Sequence, residues 1–290
     1  MDQLPSFDAL LPPAMARKAE EVGVTKAALP LMSTFALAVL AGAFVGFGAM
    51  LSTVTLAGAE GMPYGFGRLL AGLTFSLGLI LVVVAGAELF TGNTLLVMAA
   101  ASRRIKLRSV IRNWGIAYVG NFVGAVATAA MVYLSGHFRA GGGAVGKRAL
   151  DIAAAKAGLG FDEALWLGVL ANALVCLAVW LTLSARSVVD KVVAIVGPIT
   201  AFVAAGFEHS IANMYFLPMG LFIRSGGDGK FWDAVGSTAS EYSGLTWKAF
   251  LIDNLVPVTI GNIIGGAVLV GAVYWFVYLR GSGPGRQAAN

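Results

Sequence analysis

One histidine stands inside a long apolar stretch. Residues 192–223 contain no Lys, Arg or Asp, yet Glu208 and His209 sit side by side within them. Residues 69–102 form a second such stretch, interrupted only by Glu88. Both carry the same pattern, Ala85-Gly86-x-Glu88-x4-Asn93 and Ala205-Gly206-x-Glu208-x4-Asn213. Ionisable groups in segments this apolar are expensive and mark a polar path or a site. An imidazole both donates and accepts and titrates near neutral pH when unperturbed, so His209 is the candidate to meet a passing solute midway. The alternative is a histidine that satisfies loose backbone groups of its own segment. His209 occupies the repeat position held by Leu89, and so breaks a symmetry that the neighbouring residues keep. Keeping that symmetry favours a structural role for Glu88, Glu208, Asn93 and Asn213, holding exposed amides where a helix is interrupted. Thr91 is placed either to put a hydroxyl opposite His209 or to cap a half-helix.

Bond-making chemistry is not expected from these residues. Cys176, the one cysteine, lies in an apolar run with no activating base, and a single histidine lies at depth. No metal site, cofactor or enzymatic activity is expected. His137 falls at the end of an apolar window beside glycine-rich sequence and reads as solvated surface.

The elements that must position these side chains follow from composition. Of the 290 residues, 58% are hydrophobic and 12% charged, with mean hydropathy +0.81. Ordinary globular domains carry about 25% charged residues, so this chain lacks the charge to cover a water-facing surface. The net charge of +5 does not signal nucleic-acid binding, because the basic residues lie in short loops between apolar runs. Six windows lack Lys, Arg and Asp: 27–59, 69–102, 113–138, 164–185, 192–223 and 254–279. A helix crosses the hydrocarbon core with about 20 apolar residues, so six crossings of a lipid bilayer are expected. Residues 1–28 read as a partly amphipathic cytoplasmic segment without a signal peptide, 29–280 as the six-span domain and 281–290 as a cytoplasmic tail. With both termini inside, 12 of the 20 basic residues fall on the inner side, among them Arg103, Arg104, Lys106, Arg108 and Arg112 in one short loop and Arg286 in the tail.

The two halves repeat. Asn113-x6-Gly120-Asn121-x2-Gly124 matches Asn254-x6-Gly261-Asn262-x2-Gly265, and Val39-Leu40-Ala41-x-Ala43-x-Val45 matches Val169-Leu170-Ala171-x-Ala173-x-Val175. Three spans repeat in order. Because three is odd, the second copy crosses in the opposite sense, and such inverted repeats place solute sites near the midplane between the halves. The second and fifth windows are too long for one straight crossing, and each has Gly, Glu and Asn midway. Both are expected to be broken helices, since non-helical backbone at that depth survives only when buried in protein or lining a watery path. The fold class is thus an all-α membrane protein of six transmembrane helices in two inverted three-helix repeats. Lys156, just before the fourth span, is a candidate to attract anions at a pore mouth, and Asn172 lies two turns inside that span. Phe75, Leu79, Leu89, Phe90 and Phe202 are candidates for apolar constrictions.

Gly206-Phe-Glu-His-Ser-Ile-Ala-Asn213-Met214, with Ala87-Glu-Leu-Phe-Thr-Gly-Asn93 in the first half, resembles the formate–nitrite transporter family, and its formate channel branch most closely. The resemblance runs on through Leu11-Pro12, Met62-Pro63, Gly261-Asn-Ile-Ile-Gly-Gly266 and Tyr274-Trp275. It implies an aquaporin-like protomer in a homopentamer, each protomer with its own pore, in the bacterial cytoplasmic membrane. It implies passage of small monovalent anions, formate first, with nitrite, acetate, lactate and hydrosulfide as relatives' substrates and protons as partners. By position it makes His209 the central pore histidine, Thr91 its partner, Lys156 and Asn172 the polar pair linked to it, and the five apolar residues the constrictions. After Thr91 this chain has Gly92-Asn93, where formate channels of the family carry small hydroxyl residues and nitrite channels carry glycine. Nitrite therefore stands beside formate. A neutral-solute channel would more comfortably carry paired Asn-Pro-Ala motifs, and neither break contains proline.

Overall fold

Two glycines decide where the long apolar windows stop being single helices. In the computed structural model, which describes residues 8–281, Gly86 has φ +81° and Gly206 has φ +79°, in the left-handed region that a Cβ disfavours. Each ends a helix the same way. The Ala87 N–H returns to the Val82 carbonyl at 2.9 Å, and the Phe207 N–H to the Phe202 carbonyl at 3.0 Å. The second and fifth spans are broken, as their length and composition require. The expected tail at 281–290, Arg286 included, lies outside the described residues apart from Gly281.

The framework runs α1 (Pro12–Ala28), α2 (Leu31–Leu56), α3 (Tyr64–Ala85), α4 (Phe90–Ala101), α5 (Leu107–Leu134), α6 (Ala144–Ala157), α7 (Phe161–Ser184), α8 (Val188–Ala204), α9 (Ser210–Gly226) and α10 (Ala249–Tyr278). No strand occurs among the described residues. Helices α2, α3, α5, α7 and α10 are each long and apolar enough to cross a membrane. The remaining crossing is made by α8 and α9 in series, of 17 residues each. At 1.5 Å per residue each half covers about 25 Å, short of a ~30 Å hydrocarbon core.

The repeat is larger than the three spans visible in the sequence. Lys26 in α1 and Lys156 in α6 are separated by the same shift as Val39 and Val169, so α1–α5 corresponds to α6–α10. Helix α1 packs onto α4, α5, α7 and α10, burying Met15, Ala16 and Ala19. It is the lead helix of the first repeat, docked on the six-span body.

Within each half the first and third spans cross at backbone distance. A Cβ on Gly42 would meet the Asn121 carbonyl and one on Gly124 the Val39 carbonyl. In the second half Gly261 and Gly265 are held the same way against the carbonyls of Leu165 and Val169. Small residues at such crossings let backbones approach, which is how helices associate where lipid removes the hydrophobic driving force. Gly265→Val is therefore expected to yield no monodisperse protein on gel filtration in detergent. Gly65→Ala, whose Cβ meets nothing within 4 Å, is expected to elute like the parent. A well-behaved Gly265→Val would mean the crossing tolerates separation. His137 is half-buried where full solvation is expected: it opens a distorted turn, and its Nδ1 is buried without a hydrogen-bond partner among the described residues.

Candidate functional site: a histidine between two vestibules

The interrupted helices leave orphaned backbone groups at the centre, and two asparagines take these and tie each break to a carbonyl of the adjoining first span. Asn121 Oδ1 accepts the Phe90 N–H at 2.9 Å, while its Nδ2 donates to the carbonyls of Ala38 (2.7 Å) and Glu88 (2.9 Å). Asn262 does the same in the second half: Oδ1 takes the Ser210 N–H at 2.9 Å, and Nδ2 donates to Gly168 (2.8 Å) and Glu208 (3.0 Å). This corrects the expectation that Glu88 and Glu208 hold the amides. An ionised carboxylate only accepts, whereas a carboxamide satisfies N–H and C=O groups together.

The glutamates have other partners. Glu88 pairs with Lys26 at 2.7 Å and accepts from Asn93 at 2.7 Å, and Asn93 also donates to Asn113. Glu208 pairs with Lys156 at 2.6 Å and accepts from Asn213 at 2.7 Å, and Asn213 also donates to Asn254. Each lysine thus brings its lead helix onto a break, and each glutamate is buried with its charge matched. Lys26, Asn113, Asn254, Asn121 and Asn262 were absent from the candidate residues. The four asparagines lay in the repeated motif, and Lys26 was detectable only through its shift from Lys156.

His209 and Leu89 are the residues immediately before α9 and α4, where the symmetry breaks. His209 Nδ1 accepts the Ala212 N–H at 3.1 Å, capping α9. The opposite nitrogen, Nε2, lies 2.8 Å from Thr91 Oγ1. Because Nδ1 is an acceptor, the neutral ring carries its hydrogen on Nε2 and donates it to Thr91. The two readings of His209 thus hold together: one nitrogen satisfies the backbone and the other faces across the break. Thr91 does not cap its own helix. Asn172 stands behind it, donating to the carbonyls of Asn262 (2.6 Å) and Thr91 (3.3 Å). Lys156 bonds Glu208, the residue before His209, and Asn172 bonds the carbonyl of Thr91, the partner of His209.

Two cavities flank this pair. One, on the α6 side, is about 690 Å³ and is lined by Lys156, Glu208, Phe75, Phe202 and His209 among others. The other, on the α1 side, is about 350 Å³ and is lined by Lys26, Glu88, Leu79, Leu89 and Gly92 among others. Between them Phe75, Leu79, Leu89 and Phe202 are all buried, and Phe75 meets Phe202 edge-on at 5.5 Å. Phe90 lines neither cavity; it packs edge-on against Trp114 and Tyr118. Arg68, at the edge of an apolar window, closes the end of α8 by donating to the carbonyls of Val203 (2.6 Å) and Ala204 (3.2 Å).

Two vestibules separated by buried apolar side chains, with a histidine and a threonine at the ends of interrupted helices in an inverted repeat, define a membrane channel. The chain belongs to the formate/nitrite transporter family, whose profile matches residues 13–276. It is 49% identical over 274 residues to the formate channel FocA of Escherichia coli K12, covering 94% of this chain and 96% of that one. It is 38% identical over 277 residues to the formate channel FocB of the same strain, covering 95% and 97%. Among solved structures, a pentameric formate channel with formate bound superposes with a TM-score of 0.82 at 43% identity, covering 86% of this chain and 98% of that one. An ion channel of the same family superposes at 0.77 with 26% identity, covering 91% and 98%.

Proposed function

We propose that the chain passes small monovalent anions, formate first, through a pore in each protomer of a homopentamer, and that it acts without catalysis. The observation that carries this reading is the Nε2–Thr91 hydrogen bond at 2.8 Å, set between one cavity that His209 lines and another that Leu89 and Gly92, either side of Thr91, line. A bare anion in an apolar constriction faces a desolvation cost far above thermal energy. Formate entering the seam takes the place of Thr91 as partner of the Nε2–H, a hydrogen bond that replaces part of the hydration the anion loses there. The names of the similar channels and the bound formate in the pentameric relative support formate as substrate and five as the stoichiometry. The excess of basic residues in the loops supports both termini facing the cytoplasm, in the cytoplasmic membrane of a bacterium.

The test is uptake of labelled formate and nitrite into proteoliposomes at pH 7 and pH 5. Formate is expected to exceed nitrite; passage of glycerol with neither anion would overturn the reading. Gly92 provides the check on selectivity. It lines the α1-side vestibule, and a Cβ there meets only Val179 Cγ2 at 3.6 Å, an ordinary contact. Gly92→Ser is therefore expected to fold normally and to raise the formate-to-nitrite flux ratio several-fold. An unchanged ratio would remove position 92 from selectivity.

A further inference from the structure

The two vestibules are related by the repeat but not by charge. The α6-side cavity is lined by Arg68, Arg148 and Lys156 against the carboxylates Glu60, Asp151, Glu163 and Glu208. Its cations are occupied: Lys156 pairs with Glu208, Arg148 lies 3.6 Å from Glu60, and Arg68 donates to the end of α8. The α1-side cavity is lined by three amines, Lys18, Lys26 and Lys191, against Glu88 alone. Glu88 is taken by Lys26, which leaves Lys18 and Lys191 uncompensated within the cavity wall.

These two residues are where the repeat is departed from. Lys18 corresponds by its shift to Arg148, and each donates to a carbonyl near the end of the opposite first span: Lys18 to Leu183 at 2.8 Å, Arg148 to Leu56 at 3.1 Å. Arg148 has an acid beside it; Lys18 is instead bonded to no carboxylate among the described residues. Burial and the nearby charges of Arg186 and Lys191 pull the Lys18 amine below its ordinary value, as expected of amines crowded without a counter-ion. The Lys191 amine makes no hydrogen bond or ion pair among the described residues. It enters from the first turn of α8 and corresponds to Ala71, so its charge is particular to this side. A concave pocket whose wall carries one sign of charge concentrates the opposite ion.

We infer that the α1-side vestibule holds a capture site for small carboxylate-type monovalent anions, formed by the Lys18 and Lys191 amines and separate from His209. An anion there has two ammonium groups to replace lost water and lies on the route to Leu79, Leu89 and the histidine. The α6-side vestibule has no such site, so the two mouths differ in the anion concentration at which they saturate. This inference rests on the proposed channel function for its ligand, but the asymmetry can be read without transport.

Val22 lines the α1-side cavity, and Ile152, its repeat partner, lines the other. Cys176, the one native cysteine, is fully buried, so Val22→Cys and Ile152→Cys each introduce one reactive thiol. Rates of modification by anionic and cationic methanethiosulfonates are measured on purified protein at low salt and normalised to a free thiol. The anionic-to-cationic ratio is expected to be at least tenfold higher at Val22→Cys than at Ile152→Cys, and adding Lys18→Gln and Lys191→Gln is expected to remove that excess. Lys191→Gln alone, which breaks no bond, is expected to remove a large part of it while leaving the elution profile unchanged. Equal ratios at the two positions, or a ratio indifferent to both substitutions, would overturn the site whatever the channel carries. In oriented proteoliposomes Lys191→Gln is expected to raise the half-saturating formate concentration several-fold from the α1 side only. A wild type that passes no formate would instead count against the proposed function, and the thiol ratios would still decide the capture site.

Discussion

Formate flux falls at least tenfold in His209→Asn, with little loss of stability; this is the expected result that separates the histidine's two duties. An asparagine side chain is among the best N-caps, so it is expected to take over the Ala212 N–H that His209 Nδ1 now accepts at 3.1 Å. It cannot place a donor where Nε2 stands, 2.8 Å from Thr91 Oγ1. A hydrogen bond to a charged partner contributes about 1.5–3 kcal/mol, and each 1.4 kcal/mol in a barrier is roughly tenfold in rate. His209→Phe removes both bonds, and its melting temperature in detergent is expected to drop as well, because the Ala212 N–H is left without a partner in a buried site. Flux is compared at pH 7 and pH 5 for all three proteins. The wild type's response to pH is expected to be lost in both variants. Wild-type flux and pH response in His209→Asn would remove the histidine from the pathway and leave it only its capping role.

The largest stability effect is expected at a residue that touches no solute. Asn262→Leu strips partners from the Ser210 N–H and the Glu208 carbonyl at once, and removes the second bond of the Gly168 carbonyl, which keeps its place in α7. Each of the two buried groups so orphaned costs about 1–3 kcal/mol, which puts the total at roughly 2–6 kcal/mol. At about 2–4 °C per kcal/mol for a domain of 150–250 residues, the detergent melting temperature is expected to fall by on the order of 10 °C. Asn262→Asp retains the acceptor for Ser210 and loses both donors, so it is expected to fall between leucine and the parent. A leucine variant that melts with the wild type would show that the break is held by other means. Asn121→Leu is its counterpart in the first half and is expected to behave alike, since Asn121 makes the same three bonds to Phe90, Ala38 and Glu88.

What the sequence determined by itself is what apolar periodicity and internal likeness encode. Window length together with a Gly, a Glu and an Asn midway required the second and fifth spans to break, because such polar groups at depth do not sit in one straight crossing. The repeat placed Glu88 against Glu208 and marked His209 as the odd residue opposite Leu89. The matching motifs also held the asparagines of the break, although nothing in a one-dimensional pattern said which groups they would bind. The tertiary structure decided the pairings, because they join residues far apart in the chain: Lys26 with Glu88, Lys156 with Glu208, Thr91 with His209. It also gave the amides of the breaks to Asn121 and Asn262, since carboxylates cannot donate to the carbonyls exposed there. Phe90 faces Trp114 and Tyr118 instead of either cavity, a direction fixed by the turn of α4 and invisible in composition. The charge difference between the vestibules belongs to the tertiary structure too. Lys18 and Lys191 come from α1 and α8, and only the docking of α1 against the second repeat, where Lys18 bonds the Leu183 carbonyl, brings their amines to one wall.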